Sequence, residues 1–178
     1  MIKPPAELPT ARLRLRFPVP SDADSVYERY ATDDAVTRYV MWTPHQSKET
    51  VSEFVRERIS RIETGDEFTW AITLPGDSGA IGMIGARVRN HKVDIGYVLA
   101  RQHWNLGYMT EAISAVAEWM LRQPSIFRVW AVCDIENIGS ARALEKSAFV
   151  REGKLRRWIV HPNRAQEPRD CYMYARTR

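Results

Sequence analysis

Hydrophobic residues in this chain recur with a period of two in some segments and with helical spacing in others. Leu13, Leu15 and Phe17 alternate with three arginines, which predicts a half-buried strand. Runs rich in β-branched and aromatic residues predict further strands at residues 68–74, 80–88, 93–99, 126–133, 149–151, 155–161 and 171–175. Within the run at 80–88, Gly82 and Gly85 either weaken the strand or mark the close approach of a neighbouring backbone.

Helical spacing separates these strands. Helices are predicted from Ser21 to residue 30 and from Ser47 to a stop at Gly65. The strongest apolar stripe runs from Met109 to Met120. A last helix is predicted over residues 138–147. It is expected to direct three side chains towards the core, those of Ala141, Leu144 and Ala148. The order of elements predicts one α+β (α/β) domain over residues 1–178, with a mixed sheet flanked by helices.

The composition is that of an ordinary globular protein. The chain has 178 residues, of which 44% are hydrophobic and 27% charged, so wholesale disorder is excluded. Its apolar runs are too short to span a bilayer, and no signal-peptide core follows Met1, so a cytoplasmic protein is expected. Two cysteines and four scattered histidines favour neither a disulfide framework nor a zinc site.

The net charge of +4 is concentrated in the second half of the chain, where residues 91–178 hold 14 Lys or Arg and 9 Asp or Glu. Such an excess is typical of a protein with a polyanionic partner, either a nucleic acid or a phosphorylated cofactor. A merely solvated basic surface is the alternative. The sequence lacks helix-turn-helix, zinc-finger and RNA-recognition patterns, so direct nucleic-acid binding is not expected.

The segment most informative about chemistry joins the strand at 93–99 to the following helix. A polar loop leads there into a helix N-terminus, where unpaired backbone N–H groups and the helix dipole favour an anion such as a pyrophosphate. Gly107 lets the backbone approach a ligand, and Asn105 tolerates left-handed dihedral angles. Flexible residues are also common at such junctions in folds that bind nothing, and two familiar phosphate-loop patterns are absent.

Several motifs, taken together, resemble those of the GNAT N-acetyltransferases, and most closely the RimJ/RimL-type subgroup, which acetylates the N-termini of ribosomal proteins. Residues 102–107 (QHWNLG) are similar to the acetyl-CoA signature Q/R-x-x-G-x-G/A, and residues 107–112 (GYMTEA) match the motif that follows it. Further matches are TARLRL at 10–15, N-x-x-S at 137–140, E-K-x-x-F at 145–149, E-G-x-L-R at 152–156 and the pair Arg169-Asp170. Asn105 and Ala148 replace two glycines of the family.

The resemblance implies a mostly antiparallel, twisted sheet with a V-shaped splay between the strands at 93–99 and 126–133, which holds acetyl-CoA. Backbone groups of Val98 and Leu99 would pair with the pantetheine arm, and Asn137 would bond the same arm unless it only caps the last helix. The pyrophosphate would be held by backbone groups of the signature residues Gln102, Asn105, Leu106, Gly107 and Tyr108. The remaining phosphate would face three basic residues, if these are more than surface charges: Arg101, Arg142 and Lys146.

The resemblance also implies roles in catalysis. Ser140 would lie at the thioester of acetyl-CoA and protonate the leaving thiolate, the alternative being a simple helix-start residue. Asp94 is the first candidate for a base acting through water, and the alternative is that it merely occupies a solvent-facing position of its strand. Glu111 is the second candidate, and the alternative is that its charge only stabilises the first turn of its helix. Cys133 falls within an apolar strand, so direct transfer without a covalent enzyme intermediate is expected.

The expected acceptor is a primary amine. A peptide α-amino group has a pKa of about 8 and a lysine amine one of about 10.4, so weak bases such as Asp94 and Glu111 favour a protein or peptide N-terminus. A small amine (a polyamine, an antibiotic or an amino acid) is the alternative acceptor, and a non-catalytic acyl-CoA-binding domain is the alternative class. Acceptor specificity is expected in the helices around 21–64 and the loop at 162–169. No metal is expected. The oligomeric state stays open between a monomer and a homodimer.

Overall fold

The computed structural model describes residues 2–65 and 67–178. Its strands are β1 Glu7–Pro9, β2 Arg14–Arg16, β3 Glu67–Leu74, β4 Asp77–Arg89, β5 Lys92–Leu99, β6 Arg128–Asp134, β7 Val150–Ile159 and β8 Arg169–Thr177. Its α-helices are α1 Asp22–Val26, α2 Asp34–Thr37, α3 Lys48–Thr64, α4 Tyr108–Leu121 and α5 Ile138–Lys146. A π-helical turn, Tyr27–Ala31, extends α1, and a 3₁₀ turn, Arg101–His103, follows β5.

The strands form one eight-stranded sheet in the order β1-β2-β3-β4-β5-β6-β8-β7. Neighbouring strands are antiparallel except β5 and β6, which run parallel. This parallel pair is joined at only three positions, the last of them Asp94 opposite Trp130. Beyond Asp94 the two strands separate and leave a wedge-shaped opening, called here the β5–β6 opening. The mixed, mostly antiparallel sheet with a central splay is therefore confirmed.

Helices cover both faces of the sheet. On one face α4 buries its apolar stripe against side chains such as Val93 and Ile95 of β5 and Val129 of β6. On the other face α1 and α3 cover a smaller cluster that includes Val51, Val55 and Met83. Each fully buried aliphatic side chain contributes about 1.5–3 kcal/mol relative to exposure, so these two layers fix the position of β5 between them.

Local signals in the sequence set several element boundaries correctly. The Ser47 hydroxyl accepts a hydrogen bond from the Thr50 N–H at the start of α3, and Gly65 ends the helix with a φ of 79°. Gly82 marks a close approach of backbone, because a Cβ at that position would overlap the carbonyl oxygen of Val98. Both observations confirm the predictions made from Ser, Gly and their neighbours.

Other predictions were wrong in detail. The expected strands at 149–151 and 155–161 are a single strand, β7, which is interrupted in register between Arg151 and Gly153 and again between Leu155 and Ile159. A bulge disturbs the period of two, which is why one strand looked like two. Ala148 does not face the core but is exposed with a φ of 63°. The very short β1 and α2 are not predicted, because three or four residues carry no periodic pattern.

Among the described residues no helix is long and apolar enough to cross a membrane.

Candidate active site

The edge of β5 that faces the β5–β6 opening presents backbone groups of alternate residues. Ala100 donates its N–H to the Ile81 carbonyl at 2.8 Å, and the Val98 carbonyl approaches Gly82, so residues 98 and 100 face β4. Because backbone groups alternate along a strand, those of Tyr97 and Leu99 point into the opening. The backbone of Val98, expected there from the sequence, therefore faces the wrong way, and the backbone of Tyr97 takes its place.

The loop after β5 is shaped by two residues with positive φ. Asn105 has a φ of 61°, as the sequence suggested, and Gly107 has a φ of 79°. The indole Nε1 of Trp104 donates to the Leu99 carbonyl at 2.8 Å and ties the start of the loop to β5. Gly107 is the N-cap of α4, and the first N–H groups of a helix lack intrahelical partners. An exposed loop of this geometry at the opening fits a pyrophosphate.

The basic residues assigned to the remaining phosphate are placed differently from one another. Arg142 and Lys146 are exposed on α5. Arg101 instead forms an ion pair with Asp33, with 3.0 Å between Nε and Oδ2. Arg12, for which the sequence indicates no role, donates from Nη1 to the Leu106 carbonyl at 2.9 Å.

A hydroxyl pair links the start of α5 to β5. The Asn137 side chain accepts the Ser140 N–H at 3.2 Å and caps α5, and the Ser140 Oγ lies 2.7 Å from the Tyr97 hydroxyl oxygen. Burial raises the pKa of the Tyr97 hydroxyl, which is therefore protonated at neutral pH. Tyr97 was not singled out from the sequence, because nothing in a strand pattern shows that its side chain reaches a residue 43 positions later.

Cys133 lies beside this pair. Burial raises the pKa of its thiol to about 12, although a hydrogen bond with Ser140 acts in the opposite direction. The nucleophilic form of cysteine is the thiolate, so Cys133 is a weak nucleophile at neutral pH. This agrees with the expectation of a buried structural residue.

Asp94 lies at the root of the opening, where β5 and β6 begin to separate. Its side chain is 7% exposed, accepts a hydrogen bond from the Arg87 Nε at 2.7 Å and lies 3.9 Å from the Arg89 Nε. Side chains alternate along a strand, so Asp94 and Tyr97 project from opposite faces of β5, about 10 Å apart along the strand. The structure therefore does not group Asp94 with Ser140 on one face.

Glu111 is engaged in a different set of contacts. Its Oε1 accepts the Thr10 hydroxyl at 2.5 Å and the Arg12 N–H at 2.7 Å, and its Oε2 accepts the Arg12 Nε at 2.8 Å. Burial acts to raise the pKa of Glu111, but the hydrogen bonds from Thr10 and Arg12 outweigh it and lower the pKa. A carboxylate held in this way is a poor proton acceptor, which favours the structural interpretation of Glu111.

The segments expected to recognise the acceptor lie against each other. Asn163, in the loop between β7 and β8, donates from Nδ2 to the carbonyls of Thr37 and Trp42, at 2.7 Å each. Beside this loop and the start of α5 lies an open cavity of about 520 Å³, with carboxylates and guanidinium groups on its walls, from residues Glu136, Arg157, Glu167, Arg169 and Asp170. Among the described residues no cluster of His, Cys, Asp or Glu is arranged to hold a metal.

Comparison with known proteins gives consistent results. The family model of the acetyltransferase (GNAT) domain matches residues 12–150. The uncharacterized N-acetyltransferase YoaA of Bacillus subtilis (strain 168) is 28% identical over 155 residues, which cover 85% of this chain and 87% of YoaA.

Solved structures resemble the whole chain. A GNAT-family acetyltransferase from Bacillus anthracis has a TM-score of 0.83 and 27% identity, covering 96% of this chain and 98% of its own. RimL, a ribosomal α-N-protein acetyltransferase in complex with coenzyme A, has a TM-score of 0.84 and 20% identity, covering 96% of this chain and 97% of its own. The similarity to RimL is one of fold.

Proposed function

We propose that this chain, which belongs to the GNAT acetyltransferase family, transfers the acetyl group of acetyl-CoA directly to the α-amino group of a protein or peptide. As a member of that family it is an N-acetyltransferase, and the acceptor is the part of the proposal that goes further. The observation that carries it is the β5–β6 opening, which has the exposed N-terminus of α4 at one end and the Tyr97–Ser140 hydroxyl pair beside it.

The opening suits an extended donor with a phosphorylated end. The backbone groups of Tyr97 and the N–H of Leu99 would pair with the pantetheine arm as a neighbouring strand does, whereas the Leu99 carbonyl is bonded to the Trp104 indole. The loop N–H groups from Asn105 to Tyr108 would bind the pyrophosphate, with Arg142 and Lys146 available for the remaining phosphate. Acetyl-CoA itself supplies the activated thioester. The RimL structure with coenzyme A supports this arrangement through its shared fold.

Ser140 is the proposed donor of a proton to the departing thiolate. Its hydroxyl hydrogen-bonds that of Tyr97, which keeps its own proton because burial raises its pKa. Tyr97 would orient the Ser140 hydroxyl, and Ser140 would regain its proton from solvent water after transfer. General acid assistance of this kind contributes roughly 100-fold or more to a rate.

Asp94 is the proposed acceptor of the proton that the attacking amine releases, through a water molecule. It lies on the face of β5 opposite Tyr97, so the amine and the leaving sulfur would be served from opposite sides of the strand. Arg87 holds the carboxylate in place. Glu111 is not proposed as the base, because Thr10 and Arg12 engage both of its oxygens.

An α-amino acceptor matches a site without a strong base. At pH 7 the neutral fraction of a peptide α-amine is about 10%, whereas that of a lysine amine is below about 0.1%. A site with only a weak base therefore acts much more readily on the first. Among the fold relatives, RimL is named for α-N-protein acetylation, which supports the same choice.

A pair of peptides tests the acceptor. One has a free N-terminus and no lysine, and the other has a blocked N-terminus and one internal lysine in the same sequence. We expect a higher kcat/KM for the first and a rate that rises with pH towards about 8 as the amine loses its proton. Mass spectrometry of the products locates the acetyl group. Preferential acetylation of the internal lysine contradicts the proposal, and so does turnover of polyamines or amino acids faster than either peptide.

A further inference from the structure

We propose that Arg12, from the turn between β1 and β2, is a positioning residue that holds the acetyl-CoA pyrophosphate loop in its binding conformation. The inference rests on the proposed function, because it assumes that residues 105–108 bind the pyrophosphate. It adds a residue about 95 positions away in the sequence, which no feature of the loop itself indicates.

Arg12 contacts three consecutive residues of the loop. Its Nη1 donates to the Leu106 carbonyl at 2.9 Å, and its guanidinium lies over the Tyr108 ring at 4.9 Å from the centroid. Its Nη2 is so close to Gly107 that a Cβ added there would be 3.2 Å from it. One planar side chain therefore fixes a carbonyl, a glycine and an aromatic ring, which together span the turn into α4.

Arg12 is itself held by α4, the helix that follows the loop. Glu111, in the first turn of α4, accepts the Arg12 backbone N–H and Nε, and it also accepts the Thr10 hydroxyl. Thr10 further closes its own turn, since its Oγ1 accepts the Leu13 N–H at 2.9 Å. The Thr10–Arg12–Glu111 clamp thus joins the β1–β2 turn, the loop and α4 into one unit.

The clamp has two consequences for binding an anion. A loop already in its bound conformation loses less backbone entropy when the ligand arrives, so affinity is higher. The guanidinium also offsets the negative charge of Glu111, which lies one helical turn from Gly107 and would otherwise repel a pyrophosphate there. Removing Arg12 alone should therefore weaken binding more than removing Arg12 and Glu111 together.

Calorimetry with acetyl-CoA on folded protein tests this directly. We expect Arg12→Gln to bind acetyl-CoA about 10-fold more weakly, with KM for acetyl-CoA raised and kcat at saturation within about twofold of wild type. Arg12→Gln/Glu111→Gln should recover part of the affinity. The matched control is Arg14→Gln, because Arg14 lies on the same hairpin and pairs with Glu7, away from the loop. Its affinity should equal that of wild type.

Two further measurements separate positioning from general stability. In the ligand-free Arg12→Gln protein the backbone amides of residues 105–108 should show lower NMR order parameters than in wild type while Tm stays near that of wild type. Arg12→Lys, which keeps the charge but loses the planar fork, should fall between wild type and Arg12→Gln. Unchanged affinity in Arg12→Gln overturns the inference alone, and so does an affinity loss matched by that of Arg14→Gln. Absence of acetyl-CoA binding by the wild type overturns the proposed function and this inference with it.

Discussion

Replacing Ala148 with glycine is expected to stabilise the protein. Ala148 follows α5 with a φ of 63°, a left-handed conformation that costs a residue with a Cβ about 1–2 kcal/mol. Its methyl group is exposed, so removing it sacrifices little packing. Glycine loses about 0.5–1 kcal/mol through its more flexible unfolded chain, which leaves a net gain of about 0.5–1 kcal/mol. For a chain of this length such a gain raises Tm by about 1–4 °C.

The assay is urea unfolding followed by circular dichroism, with Tm as a second measure. The matched control is Ala143→Gly, the same chemical change inside α5, which should destabilise by about 1 kcal/mol because that residue is helical. A second comparison is Asn105→Gly, whose gain should be smaller because asparagine tolerates a positive φ. If Ala148→Gly lowered stability as Ala143→Gly does, the assignment of strain to Ala148 would be refuted.

The remaining predictions concern catalysis. Ser140→Ala should lower kcat about 100-fold and leave acetyl-CoA affinity nearly intact. Tyr97→Phe should lower kcat less, by about 10-fold. The control Ser52→Ala, on α3, should leave kcat unchanged. Wild-type turnover in Ser140→Ala would reduce that residue to a helix-start position. Asp94→Asn should lower kcat/KM for the peptide at neutral pH by about 100-fold and be partly rescued at higher pH, where the free amine needs no base. The control is Asp77→Asn, another ion-paired strand aspartate, and equal rates in the two variants would exclude Asp94 as the base.

Local chemistry made part of the structure predictable from the sequence. The two ends of α3 could be predicted from Ser47 and Gly65, because capping and left-handed termination depend on residues only a few positions apart. Asn105 could be expected at positive φ for the same reason. These are properties of a short segment, and the sequence shows the whole segment.

What the sequence did not show depends on distant residues. The choice between Val98 and Tyr97 for the free edge of β5 depends on which residues pair with β4, and only the register decides that. Likewise the sequence indicates a catalytic carboxylate at Glu111, because it does not show that Thr10 and Arg12, about 100 positions earlier, donate hydrogen bonds to it. The bulged β7 was divided in two because an irregular register removes the alternation on which strand prediction relies.

The short pairing of β5 with β6 makes the protein a sheet with an internal gap. Unpaired strand edges attract other extended chains, so the gap is a place where a second molecule can add by backbone hydrogen bonds. An acetyl donor lying along β5 would fill the gap and act as a ninth, removable strand. At a concentration 100 times its dissociation constant, such a ligand stabilises the folded state by about 2.7 kcal/mol. The donor supply of a cell would then govern not only how fast the enzyme works but also what fraction of its molecules is folded.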